Sequence, residues 1–123
     1  MAKQVFINLP VSDLEVSTAF YQSLGFIKNE MFSDETASAM QWSDDITVML
    51  LGRDFYKSFI GDKEVADTTK TSAALLALTF DTREEVDAFA DAAVQNGGSS
   101  FKVPTDIPED QMYGHEVLDP DGH

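Results

Sequence analysis

Two stretches of this chain follow the same plan. An alternating run, Val5 to Val11, leads into a helix that stops at Gly25; about seventy residues later Leu75 to Asp81 leads into another that stops at Gly97. Internal repetition at this spacing constrains architecture before any residue chemistry is considered. It points to two similar α/β modules facing each other across a cleft.

In the first module Val5, Ile7, Leu9 and Val11 alternate with Phe6, Asn8 and Pro10, the period of a strand with one apolar face. Ser12 and Glu15 have the spacing of a helix capping box, with Val11 and Val16 as the accompanying apolar pair. Gly25 suits the left-handed residue after the helix, and Phe26 the apolar contact that follows it. Strands are predicted over Ile27–Phe32, Ala37–Trp42 and Ile46–Leu51, the last two joined by a turn at Ser43–Asp45. A connector over 53–73 carries Phe55, Tyr56, Phe59 and Ile60, enough for a short packed helix, and ends in a polar loop over Asp67–Ser72.

The second module opens with a predicted strand, Leu75–Phe80. Thr82 and Glu85 make a second capping box, and Val86, Phe89, Ala90, Ala93 and Val94 form one apolar helical stripe. Strands are predicted at Phe101–Val103 and Met112–Leu118, followed by a turn over Asp119–Gly122. The first module has three strands after its helix and the second only two, so a last strand is expected to be missing from the chain as given. The whole of 1–123 is expected to be one domain, with modules over about 1–52 and 74–123.

Composition narrows the partners. The formal net charge is −14, from 22 acidic and 8 basic residues, so nucleic acid and anionic membranes are not expected partners. No Cys is present, which removes disulfides and thiol catalysis. No apolar run reaches the roughly 18 residues that span a bilayer, and a cytoplasmic protein is expected. Neither a Gly-x-Ser-x-Gly elbow nor a phosphate-binding glycine loop is found.

Three groups of residues resemble the vicinal oxygen chelate superfamily of glyoxalases, bleomycin-resistance proteins and extradiol dioxygenases: Asn8-Leu9-Pro10-Val11-x-Asp13-Leu14, Phe20-Tyr21-x-x-Leu24-Gly25-Phe26 and Asp119-Pro120-Asp121-Gly122-His123. Tyr113-Gly114 and Val65–Ser72 look like its branch of bacterial predicted lactoylglutathione lyases. The resemblance implies an α+β fold in which two βαβββ modules form a curved mixed sheet around a cleft. It also implies a homodimer. The family's enzymes hold a divalent metal through His, Glu or Gln on the outer strands of each module. Carried over by position, those sites fall at Phe6, near Leu50 and near Leu75, with the fourth beyond His123.

None of these three side chains is a metal donor. No cofactor is therefore expected unless His115, Glu116 or residues beyond His123 supply ligands. The candidate cleft consists of Phe6, Asn8, Trp42, Leu50, Leu75, Tyr113 and His115. Asn8 shares a strand face with Phe6 and has an amide for a ligand, or it bonds nearby backbone. Tyr113 and His115 share a face and offer a proton donor and a base, or His115 is simply solvated. Trp42 lines the cleft or caps the core. The preferred function is binding of a small aromatic or cationic molecule; the alternative is a metal-dependent lyase or dioxygenase of the same superfamily.

Overall fold

The computed structural model describes residues 3–123. The first module is β1 (Val5–Val11), α1 (Leu14–Ser23), β2 (Ile27–Lys28), β3 (Ala37–Gln41) and β4 (Ile46–Gly52), in the sheet order β1-β4-β3-β2. β1 runs parallel to β4 over seven residue pairs, from Val5–Ile46 to Val11–Gly52. β3 and β4 form an antiparallel hairpin through the turn at Ser43–Asp45, and β2 pairs with β3. The result is an α+β fold built on a curved mixed sheet that does not close.

α1 is capped one residue later than predicted. Asp13 accepts from the Val16 amide at 3.1 Å, whereas the Ser12 amide donates to Asp121 at 3.0 Å. A carboxylate at this position also meets the positive end of the helix. Gly25 has φ +101° and ends the helix as predicted, with the Phe26 amide donating to the Tyr21 carbonyl at 3.2 Å. β2 is shorter than predicted. The Asn29 side chain accepts from the Met31 amide at 3.1 Å and turns Glu30–Phe32 into a single 3₁₀ turn.

After the sheet comes α2 (Arg53–Lys57), where Phe55 and Phe59 meet edge to face with ring centres 5.0 Å apart. The second module contributes α3 (Arg83–Gln95), capped by Thr82 as predicted, then β5 (Ser99–Phe101) and β6 (Glu116–Leu118), which pair antiparallel. The strand predicted over Leu75–Phe80 is not part of any sheet. Residues 74–80 run without turn or bend but join no ladder. Two causes combine. Ala and Leu dominate the run and are weaker strand formers than the β-branched and aromatic residues of β1. And β1 is held along its length by β4, whereas no described strand lies beside 74–80. The strand predicted over Met112–Leu118 shrinks to Glu116–Leu118 for a similar reason: β5 offers only three partners.

Strand parity sorts the first sheet into two faces. Leu9, Val11, Met40, Val48 and Leu50 face the helices; Phe6, Asn8, Ala39, Gln41, Thr47 and Met49 line the outer side. The helix-side core joins the two modules: Val11, Phe20, Tyr21, Phe26, Met40, Val48, Leu50 and Ala93 are buried together, with Leu78, Phe89 and Val117 packed against them. Gly98 lets the modules touch, because a Cβ there would fall 2.6 Å from the Phe20 ring.

Candidate functional site

The outer face of the first sheet carries a hollow of about 80 Å³ lined by Gln4, Phe6, Asn29, Phe32, Ala39, Gln41 and Thr47. Three elements position it. β1 presents Phe6 directly across from Thr47 of β4, and Thr47 pairs in turn with Gln41 of β3. The 3₁₀ turn brings Phe32 over the floor made by Ala39. None of the seven side chains is ionisable. Two rings supply apolar area, while three amides and a hydroxyl supply donors and acceptors.

The residues singled out in the sequence part company here. Phe6 lies in the hollow, 45% exposed. Asn8 follows on the same face, and its amide donates to the Phe6 carbonyl at 3.2 Å, the local backbone bond that was one of its two readings. Leu50 is not on this face. It pairs with Leu9 and is fully buried among the helices, because the assignment slipped by one residue and a one-residue slip on a strand reverses the side. Thr47 and Met49 are the β4 residues beside Phe6 and Asn8. Trp42 is part of the core: its ring lies 5.1 Å from Phe26, 5.5 Å from Phe80 and 6.3 Å from Phe89, so it stitches one module to the other. Leu75 is 89% exposed and borders neither the hollow nor the core.

Tyr113 and His115 do come together, against α3. The Tyr113 hydroxyl donates to Asp87 Oδ1 at 2.6 Å, and His115 Nε2 lies 2.9 Å from the same oxygen. The Arg83 guanidinium sits 4.8 Å and the Lys102 ammonium 5.0 Å from the centre of the Tyr113 ring. The hydrogen bond from Tyr113, followed by that from His115, holds the Asp87 carboxyl below its usual range; the same bond to Asp87 pushes the Tyr113 phenol up. Arg83 also pairs with Glu109 at 3.6 Å. These contacts fasten the 102–115 strap to α3. Beside them a depression of about 240 Å³ opens between the start of α3 and Glu109–Tyr113.

A third polar assembly forms at Asp119–His123, read in the sequence as a turn and as part of the family resemblance. Asp119 and Asp121 are 6% and 8% exposed. Asp119 accepts from the Tyr21 hydroxyl at 2.6 Å and from the Asp121 and His123 amides at 2.9 Å. Asp121 accepts from the Ser12 amide at 3.0 Å and the Ser17 hydroxyl at 3.3 Å. His123 Nε2 reaches the Pro10 carbonyl at 2.7 Å. Gly122 has φ +86°, and a Cβ there would lie 2.5 Å from the Thr68 carbonyl oxygen. Burial first, then the Asp119 charge and hydrogen bond, raise the Tyr21 phenol far above its ordinary value, so it stays a donor. The assembly ties the end of the second module to α1, β1 and the connector. Sequence spacing gave no hint of it, because its partners lie about a hundred residues apart.

Among the described residues, no three His, Cys, Asp or Glu side chains converge in a way that holds a metal ion. Phe6, Met49 and Thr47 are poor donors for Zn²⁺ or its neighbours.

Paired α/β modules around a sheet with an open outer face define a glyoxalase-type protein. The chain belongs to the Glyoxalase/Bleomycin resistance protein/Dioxygenase superfamily, whose model matches residues 3–123. It is similar to hypothetical protein SA1046 from S. aureus, at 28% identity and a TM-score of 0.79, covering 100% of this chain and 90% of that one. A glyoxalase-related enzyme from Fulvimarina pelagi is 25% identical, with a TM-score of 0.73 and coverage of 100% and 84%. The bleomycin resistance determinant encoded on transposon Tn5 is 21% identical, with a TM-score of 0.55 and coverage of 98% and 92%, a likeness of fold alone. Comparison with curated proteins found no match.

Proposed function

We propose that this protein binds a small aromatic molecule, neutral or cationic, against the outer face of its first sheet. The carrying observation is the lining of the hollow: Phe6 and Phe32 offer ring faces, Gln4, Asn29, Gln41 and Thr47 offer polar edges, and no ionisable group is among them. Such a surface stacks a planar ring and fixes its rim by hydrogen bonds. The net charge of −14 favours a cationic substituent by long-range attraction. The relative called a glyoxalase-related enzyme fits the second reading, a metal-dependent lyase with His115 or Glu116 among its ligands. In that second reading His115 must leave Asp87 and meet further donors. A cytoplasmic setting belongs to the same proposal.

The site is completed by a second copy of the chain. About 80 Å³ is well below the roughly 300 Å³ at which small-molecule sites begin.

Thermal unfolding with a panel of aromatic compounds, cationic and neutral, tests the binding reading. A specific rise in Tm that is lost in Phe6→Ala supports it. A rise unchanged by Phe6→Ala, or stoichiometric metal lost on His115→Ala, contradicts it.

A further inference from the structure

Of the four polar side chains in the hollow, two are engaged with the chain itself and two are not. Gln4 donates its amide to the Asp44 carbonyl at 3.2 Å, and Asn29 accepts from the Met31 amide at 3.1 Å. Thr47 and Gln41 stand opposite each other in the β3–β4 pairing, and among the described residues neither side chain makes a hydrogen bond. Thr47 is only 4% exposed. No side-chain polar atom of the described residues that is shut off from solvent lacks a partner, so the little surface Thr47 keeps includes its hydroxyl, and it opens on the hollow. Directly opposed residues on one sheet face have Cβ atoms about 5 Å apart. The Phe6 ring occupies the same row on the other side of Thr47. Buried polar groups are paired as a rule, so these two groups select what can enter beside the ring.

We propose that Thr47 and Gln41 are the specificity-determining residues of the hollow, and that they select a planar ring carrying an uncharged amide-type edge, N–H beside C=O, as in a lactam or a carboxamide. The inference rests on the binding reading above and names the chemical class that the hollow takes. Counting donors and acceptors decides it. Gln41 brings two N–H donors and a carbonyl acceptor, and Thr47 a hydroxyl that serves as either. A ring without a polar edge strips water from both side chains and gives them no partner. A carboxylate only accepts, and it brings charge to a lining that holds no cation in a chain of net charge −14. An ammonium only donates and leaves the Gln41 N–H groups unpaired, so a cationic substituent belongs on the far side of the ring. An amide edge donates and accepts at neighbouring atoms. It pairs with the Gln41 amide in both directions and leaves a carbonyl lone pair for the Thr47 hydroxyl, while Phe6 meets the ring.

Titration calorimetry of the full chain with four ring compounds tests this: isoquinolin-1-one, its N-methyl derivative, isoquinoline and 1-naphthoate. The expected result is that isoquinolin-1-one binds about tenfold more tightly than each of the others, the effect of one or two hydrogen bonds. In Thr47→Val and in Gln41→Met that preference is lost while isoquinoline binds as before, and in Phe6→Ala all four bind more weakly. Rings that bind through Phe6 with no preference for the lactam, or a preference that survives in both variants, overturn the inference and leave the binding reading standing. Tighter binding of 1-naphthoate than of the lactam overturns it as well. Failure of all four to bind removes the binding reading and the inference with it. Where Thr47→Val unfolds, Gln41→Met, at a partly exposed position, decides by whether the preference is lost or kept.

Discussion

The two modules started from similar sequence plans and ended differently. In the first, β1 is locked to β4 through seven parallel pairs, and the helix side of the sheet carries the buried core. In the second, the corresponding run over 74–80 has no ladder, and β5 and β6 pair through three residues. The helices are not what distinguishes them: both are capped by a side chain accepting a backbone amide at 3.1 Å, and both end at a glycine with positive φ. Helices satisfy their backbone locally, whereas strands depend on a neighbour distant in sequence. The repeat therefore guarantees the helix of each module but not its sheet.

Truncating the two sides of this comparison should give the widest contrast. Leu50→Ala empties a fully buried position between β3 and the helices and is expected to cost about 2–5 kcal/mol in urea unfolding. Next comes the junction between modules. Tyr21→Phe removes the hydroxyl that donates to buried Asp119, leaving a carboxylate oxygen short of a partner, at about 1–3 kcal/mol. Leu75→Ala in dilute, monomeric protein is expected to change stability by no more than about 0.5 kcal/mol, because that side chain is 89% exposed. A loss at Leu75 as large as that at Leu50 would mean the two modules are equally packed.

The smallest effect concerns the strap. Asp87 is held below its usual carboxyl range by Tyr113 and His115, so its contribution is present above the unfolded value of about 3.9 and fades as pH falls through the depressed folded value. Tyr113 is raised by the same bond, so its contribution is present below about 10 and fades as pH rises through the folded value. Limited proteolysis within 102–112 should accordingly be slow between these limits and faster outside them. Asp87→Asn should speed cleavage at neutral pH.

Much of the fold was legible because it is written in local signals. The alternation of Val5 to Val11, the Ser43–Asp45 turn, Gly25 and Thr82 each report on neighbours within a few residues, and each is found where it was read. Ser12 failed as a cap because Asp13 beside it is an equally good one and Asp121 claimed the Ser12 amide. The candidate site was less legible. The resemblance put Phe6 forward and strand parity Asn8; both stand on the outer face, Phe6 against the hollow and Asn8 bonded to the Phe6 carbonyl. Leu50 went astray by a single residue, which on a strand is the whole difference between cleft and core. Gln4, Asn29, Phe32, Gln41 and Thr47 escaped notice because they converge only once three strands and a 3₁₀ turn are assembled. The resemblance marked Asp119 and Asp121 without their partners, since nothing in Asp-Pro-Asp-Gly says that Tyr21, Ser12 and Ser17 wait across the chain.

The central proposal is that the outer face of the first sheet receives a planar ligand on Phe6 with no metal between them. Metal content of protein purified without an affinity tag, determined by mass spectrometry after incubation with Ni²⁺, Zn²⁺, Mn²⁺ or Fe²⁺ and gel filtration, tests it most directly. The account predicts that no metal is retained in stoichiometric amount. Retention of one divalent ion per chain would contradict it.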